Sequence, residues 1–185
     1  MTRTVTNPVT GHQVTFLQTA DETGGELLQI EYIVPSREEP FQTIPLHLHS
    51  IVEERFEVLS GLLGLALGDK NDHRYLAPGE FVVIEPGSPH AFWNAGESEL
   101  RFLTDIRPAW KLQSYWETAF GLAGDGKVNR QGVPSLLQVA VLSSVMDTYL
   151  PGVPVGMQKA LLAPLAMVGR LRGLKAQYPR YSGKA

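Results

Sequence analysis

Two stretches decide the architecture of this 185-residue chain. The first is His47-Leu48-His49-Ser50-Ile51-Val52-Glu53-Glu54-Arg55-Phe56-Glu57-Val58-Leu59-Ser60-Gly61. The second is Gly79-Glu80-Phe81-Val82-Val83-Ile84-Glu85-Pro86-Gly87-Ser88-Pro89-His90-Ala91-Phe92-Trp93-Asn94. Alternate side chains of a strand share a face, so His47 and His49 point the same way, about 7 Å apart. Glu54 lies five positions after His49, which would put the two on opposite faces of an unbroken strand. A turn or bulge between Ser50 and Glu53 must therefore reset the register before Glu54 can join the histidines. From Glu54 onward, Phe56 and Val58 share its face while Arg55 and Glu57 alternate away, as in a strand with one buried face. Pro86-Gly87-Ser88-Pro89 is a turn, with proline setting φ and glycine allowing positive φ, and it delivers His90 to the start of another strand. Two imidazoles on one face can hold a divalent ion if a carboxylate and a third imidazole arrive from neighbouring strands; Glu54 and His90 are the candidates.

Both blocks resemble the paired motifs of the cupin superfamily. His47, His49, Glu54 and Gly61 fit G-x5-H-x-H-x(3,4)-E-x6-G with the longer spacer, and Gly79, Gly87, His90 and Asn94 fit G-x5-P-x-G-x2-H-x3-N. The departures are Phe41, where the first motif opens with glycine, and Glu85, where the second has proline, with Pro86 one place later. The resemblance spans about residues 40–108. It implies a mainly β protein, a cupin-type double-stranded β-helix, or jelly-roll barrel, over residues 1–108; the change to helical spacing after it predicts a C-terminal α-helical segment over residues 109–185. It also implies that His47, His49, Glu54 and His90 together bind the metal, one divalent transition ion per chain. Such donors suit Fe, Mn, Ni, Co, Cu or Zn, and the affinity order does not choose among them. The competing reading is four polar residues bonded only to one another, which leaves buried polar groups without the compensation a cation provides.

Composition narrows the setting. Cysteine is absent, which removes disulfides and thiolate zinc sites. The first twenty residues lack the apolar stretch of a secretory signal, and no run of about 18 apolar residues exists, so a cytoplasmic location is expected. Six basic residues and no acidic one follow Asp147, so residues 148–185 carry +6 and residues 1–147 carry −9. So acidic a body argues against nucleic acid as a partner; the basic end faces lipid, the acidic barrel of a second protomer, or simply solvent.

Outside the two motif blocks, strands are expected over residues 14–17, 27–34, 62–67, 74–76 and 100–106, and residues 81–84 read as a short buried strand. Residues 36–41 form a polar connection that could be a lip over the barrel mouth. His12, beside Gly11 with no partner at ligand spacing, reads as structural or solvated, and His73 as a solvated turn residue. Helical spacing of Leu112, Trp116 and Phe120 predicts a helix over residues 110–120, then a polar glycine-rich connector over 121–132. Further helices are expected over 134–150 and 155–174, the last kinked at Pro164. Residues 160–168 contain no polar side chain and call for burial on every side; a homodimer interface or intramolecular packing is favoured over a membrane surface. Gly121-Leu122-Ala123-Gly124-Asp125-Gly126-Lys127-Val128 nearly spells a phosphate-binding loop, but Val128 replaces the required hydroxyl and no buried strand leads in.

Around the metal, Phe41, Phe56, Val58 and Phe92 are the expected apolar walls for a small-molecule substrate, and Asn94 is expected to support backbone near the second turn. The resemblance and that pocket together point to a metal-dependent enzyme, a dioxygenase-like oxidoreductase acting on a small aromatic, enol or diketone. The alternatives are a non-catalytic small-molecule binding or sensing protein and a metal-dependent isomerase or decarboxylase. Glu53, Glu57, Glu85 and Arg101 are acid–base candidates if they face inward.

Overall fold

The computed structural model describes residues 2–36, 45–69 and 71–182. Among the described residues, ten strands precede the helices: β1 Arg3–Thr6, β2 Gln13–Gln18, β3 Leu28–Val34, β4 Leu48–His49, β5 Glu53–Ser60, β6 Leu63–Leu67, β7 His73–Leu76, β8 Phe81–Ile84, β9 His90–Asn94 and β10 Leu100–Arg107. Then come α1 Leu112–Gly124, α2 Leu136–Met146, a further short strand β11 Thr148–Tyr149, α3 Val155–Leu171 and α4 Pro179–Ser182. One sheet has the order β1-β2-β3-β10-β5-β8, a second β7-β6-β9, and β11 pairs with β4. An antiparallel bridge between His47 and His90 joins the β4 region to the second sheet.

Alternation along the strands makes the core. In β3 every second residue from Leu28 to Val34 is buried, and in β5 Glu54, Phe56 and Val58 are the buried set, as their spacing requires. Phe16, Leu28, Ile30, Phe56, Leu65 and Phe102 meet between the sheets, and Leu112, Trp116 and Phe120 of α1 close the same cluster. The helix is tied down at its far side by Arg3 of β1, whose guanidinium lies 2.7 Å from the Glu117 carboxylate. Two glycines are dictated by close approach. Gly61, which closes the first motif, has φ +85 and would bring a Cβ within 2.7 Å of the Glu99 carbonyl. Gly64 lies under the Trp93 indole, where a Cβ would sit 2.3 Å from the ring. Gly64→Ala is therefore expected to cost about 1–3 kcal/mol by overpacking; an unchanged thermal midpoint would show that Trp93 yields freely.

Several boundaries differ from the sequence reading. β8 is an edge strand rather than a buried one: Phe81 is 58% exposed, with the Arg55 guanidinium 4.5 Å above its ring. α1 runs on to Gly124 into the expected connector. The helix expected to reach residue 150 stops at Met146, because Asp147 takes left-handed backbone (φ 44) and the next two residues become β11. α3 is covered on one side only, by Ala140 and Val141 of α2 against Leu162, Leu165 and Ala166. Its other side leaves Met157, Leu161, Met167 and Leu171 exposed, so contacts within the single chain bury residues 160–168 on one side only. Among the described residues no helix is long and apolar enough to cross a membrane.

Candidate metal centre

His47, His49, Glu54 and His90 come together inside the barrel, each no more than 6% exposed. His47 and His90 are fixed as a hydrogen-bonded strand pair, through His47 N to the His90 carbonyl (2.9 Å) and His90 N to the His47 carbonyl (2.7 Å). Ring centroids lie 4.2 Å apart for His47 and His90, 5.0 Å for His47 and His49, and 5.4 Å for His49 and His90. One nitrogen from each histidine lies within 4.8 Å of the other two. Glu54 reaches the group from β5: its Oε2 is 3.0 Å from His90 Nε2 and 3.5 Å from His49 Nε2. The register reset needed between His49 and Glu54 is a bend at Ser50 and Ile51.

The hydrogen bonds of the other ring nitrogens decide the chemistry. His47 Nδ1 donates to the Pro45 carbonyl (2.9 Å), His49 Nδ1 to the Asp147 carbonyl (2.9 Å) and His90 Nδ1 to the Ser88 carbonyl (3.1 Å). A carbonyl only accepts, so each Nδ1 carries a proton and each neutral ring presents its lone pair at Nε2. At His90 and His49 that lone pair would face a carboxylate oxygen, acceptor against acceptor. Only a second proton on the ring, or a cation between the groups, makes such an arrangement favourable. The donor set therefore fits a divalent ion.

Charge coupling acts in the same direction. Burial, with His90 and His49 beside it, pushes His47 down to about 3, so this ring is neutral at physiological pH. For His49, burial alone would lower the pKa, but the Glu54 charge and hydrogen bond outweigh it and raise it. For Glu54, burial alone would raise the pKa, yet His49 and His90 hold the carboxyl well below its usual range. A metal ion must therefore displace the proton on His49. The apparent metal affinity is expected to rise with pH until that raised pKa is passed and to fall below it, by up to about tenfold per pH unit. Titrating metal between pH 5.5 and 8.5 checks this, and a flat profile would contradict it.

A cavity of about 50 Å³ adjoins the cluster. Phe56 and Phe92 line it as expected; Val58 is buried in the core without lining it, and Phe41 lies outside the described residues, as do residues 37–41 of the expected lip. Ile30, Tyr32, Thr104, Leu112, Tyr115, Trp116, Met146 and Thr148 also line it. The helical segment thus covers this end of the barrel. Tyr115 was accessible from the i, i+3, i+4 spacing of Leu112, Tyr115 and Trp116, and Thr104 from its strand face with Phe102 and Ile106. Nothing local marks Met146 or Thr148. The acid–base candidates Glu53, Glu57, Glu85 and Arg101 do not line the cavity: Glu57 bonds to Arg55 (2.7 Å), Arg101 to Glu31 (2.7 Å), and Glu85 is exposed. Asn94 does as expected, donating to the Val34 and Ser98 carbonyls (3.2 and 2.8 Å) and accepting from Gly96 N (3.0 Å). His12 is buried, with its Nδ1 3.5 Å from the Tyr32 hydroxyl, and His73 lies against Trp93, ring centroids 5.1 Å apart.

Residues 37–106 match the family described as the cupin domain. No curated protein matches the chain. Among solved structures, the polyketide cyclase RemF from Streptomyces resistomycificus is 26% identical, with 53% of this chain and 65% of that chain covered and a TM-score of 0.44. A sugar phosphate isomerase from Silicibacter pomeroyi is 18% identical, with 57% and 71% covered and a TM-score of 0.46. A Klebsiella pneumoniae protein with a double-stranded β-helix domain is 18% identical, with 46% and 70% covered and a TM-score of 0.40. The chain spans less than two thirds of the cyclase's length. The motif spacing, the barrel and the matching family identify residues 37–106 as a cupin domain, and a helical C-terminal segment follows the strands.

Proposed function

We propose that the barrel holds one divalent transition metal on His47, His49, Glu54 and His90, and that the chain is a metal-dependent enzyme, dioxygenase-like, acting on a small organic molecule in the adjoining cavity. The observation that carries this reading is the cluster of three buried imidazoles, each Nδ1 already committed to a carbonyl, with the Glu54 carboxylate against His49 and His90. When bound, a redox-active ion of this donor set supplies a Lewis acid and a centre for dioxygen chemistry. The chain itself supplies the surroundings. Phe56, Phe92 and Trp116 give the cavity an apolar wall. Burial raises the pKa of the Tyr32 and Tyr115 hydroxyls, so both stay protonated, and Tyr115 can donate to a substrate oxygen.

The second reading, binding of a small anion at the metal without turnover, is favoured by the cavity's size. About 50 Å³ is well short of the roughly 150 Å³ that accommodates a benzene ring. Under the first reading, an aromatic substrate needs more room than this cavity offers. Elemental analysis of protein purified without added metal, followed by an oxygen-uptake screen over small enols, diketones and catechols, tests both. About one ion per chain with oxygen consumption supports the enzyme, and zinc without turnover supports the binder. No stoichiometric uptake of Fe, Mn, Ni, Co, Cu or Zn sinks both.

A further inference from the structure

We infer that Asp147 is a positioning residue of this metal centre, so that the C-terminal segment completes a site whose candidate ligands all lie in the barrel. The inference rests on the metal reading and adds a residue to it. His47 and His90 donate through Nδ1 to carbonyls two residues back in their own chain segment, so their ring orientation is set locally. His49 is different: its carbonyl partner, Asp147, is 98 residues away. The left-handed backbone of Asp147 ends α2 and leads into β11, where Thr148 pairs with His49.

The side chain of the same residue grips the next turn. Asp147 Oδ2 accepts from Ser50 N and Ile51 N, each at 3.0 Å, and Oδ1 accepts from Ser50 Oγ at 2.5 Å. This carboxylate is 5% exposed. Its three bonds hold the bend that lets His49 and Glu54 share a face. One residue therefore fixes both the tautomer of His49 and the register break that follows it. Partners that orient a metal-binding imidazole are typically worth tenfold to a hundredfold in metal affinity.

Three forms of the full chain separate the contributions. Asp147→Gly keeps the left-handed backbone and the carbonyl but removes the grip on Ser50 and Ile51. Asp147→Asn keeps both: Oδ1 can accept the two amides, Nδ2 can donate to Ser50 Oγ, and asparagine tolerates positive φ. Zinc affinity is measured by competition with a chromophoric chelator, and the His49 tautomer by nitrogen-15 NMR of the metal-free protein above pH 8. Asp147→Gly is expected to bind zinc about 10- to 100-fold more weakly while the His49 tautomer, held by the main-chain carbonyl, stays as in wild type, with Asp147→Asn within about threefold of wild type. Should Asp147→Gly fail to fold, Ser50→Ala, which removes one hydroxyl bond, is expected to weaken zinc binding about twofold to tenfold. Equal zinc affinity in wild type and Asp147→Gly, or in wild type and Ser50→Ala, overturns the role of Asp147 and leaves the metal centre standing. A wild-type chain that takes up no zinc or other divalent metal overturns the underlying reading instead.

Discussion

His90→Ala purified without added metal is expected to retain less than about a tenth of the wild-type metal content, with its far-UV circular dichroism little changed. His90 is fully buried, forms the strand pair with His47, and faces Glu54 at 3.0 Å. Removing the imidazole deletes one donor and also leaves the Glu54 carboxylate buried with less compensation, so that carboxyl will tend to protonate and cease to be a ligand. His47→Ala removes a ring that is neutral at physiological pH and needs no deprotonation before binding, and a comparable loss is expected. Both backbones keep their strand pairing, because the bonds between residues 47 and 90 are main-chain. Metal content by elemental analysis, alongside circular dichroism, decides the matter. Unchanged occupancy in both variants would remove these histidines from the centre.

The second large effect belongs to the core. Phe102 has no exposed surface and sits among Tyr32, Phe56 and Phe92, with ring centroids 5.4, 5.4 and 5.5 Å away. Its strand, β10, lies between β3 and β5 and holds the large sheet together. Phe102→Ala is expected to cost about 3–5 kcal/mol, the sum of lost burial and an unfilled cavity. For a chain of this size that corresponds to a fall in Tm of roughly 10 °C. Because Phe56 and Phe92 also wall the cavity beside the metal, relaxation into the gap should weaken metal binding as well. Thermal unfolding with and without metal measures both, and a shift of less than about 2 °C would show that the aromatic cluster repacks without a void.

How much of this was readable in advance depends on whether the cause was local. Alternation placed Glu54, Phe56 and Val58 on the buried face of β5, and parity alone required a break between His49 and Glu54. The spacing of Leu112, Trp116 and Phe120 placed one face of α1 in the core. Phe81 was misplaced because apolar content does not distinguish a central strand from an edge strand, and the sheet order put β8 at the edge.

The helix limit near residue 147 and the covering of the cavity were not readable, for a related reason. Asp147 carries no local mark of its role: its partners His49, Ser50 and Ile51 are about a hundred positions away. Periodicity reports which face of an element is apolar, since that follows from the repeat of the backbone itself. It says nothing about which distant carbonyl or carboxylate will be brought alongside. By itself, then, the sequence determined the β barrel, its buried faces and the candidate imidazoles and carboxylate. Tertiary structure alone decided how His49 is aimed, which helical residues line the cavity and how small that cavity is. Each of these depends on hydrogen bonds and packing between segments that meet only once the chain has folded.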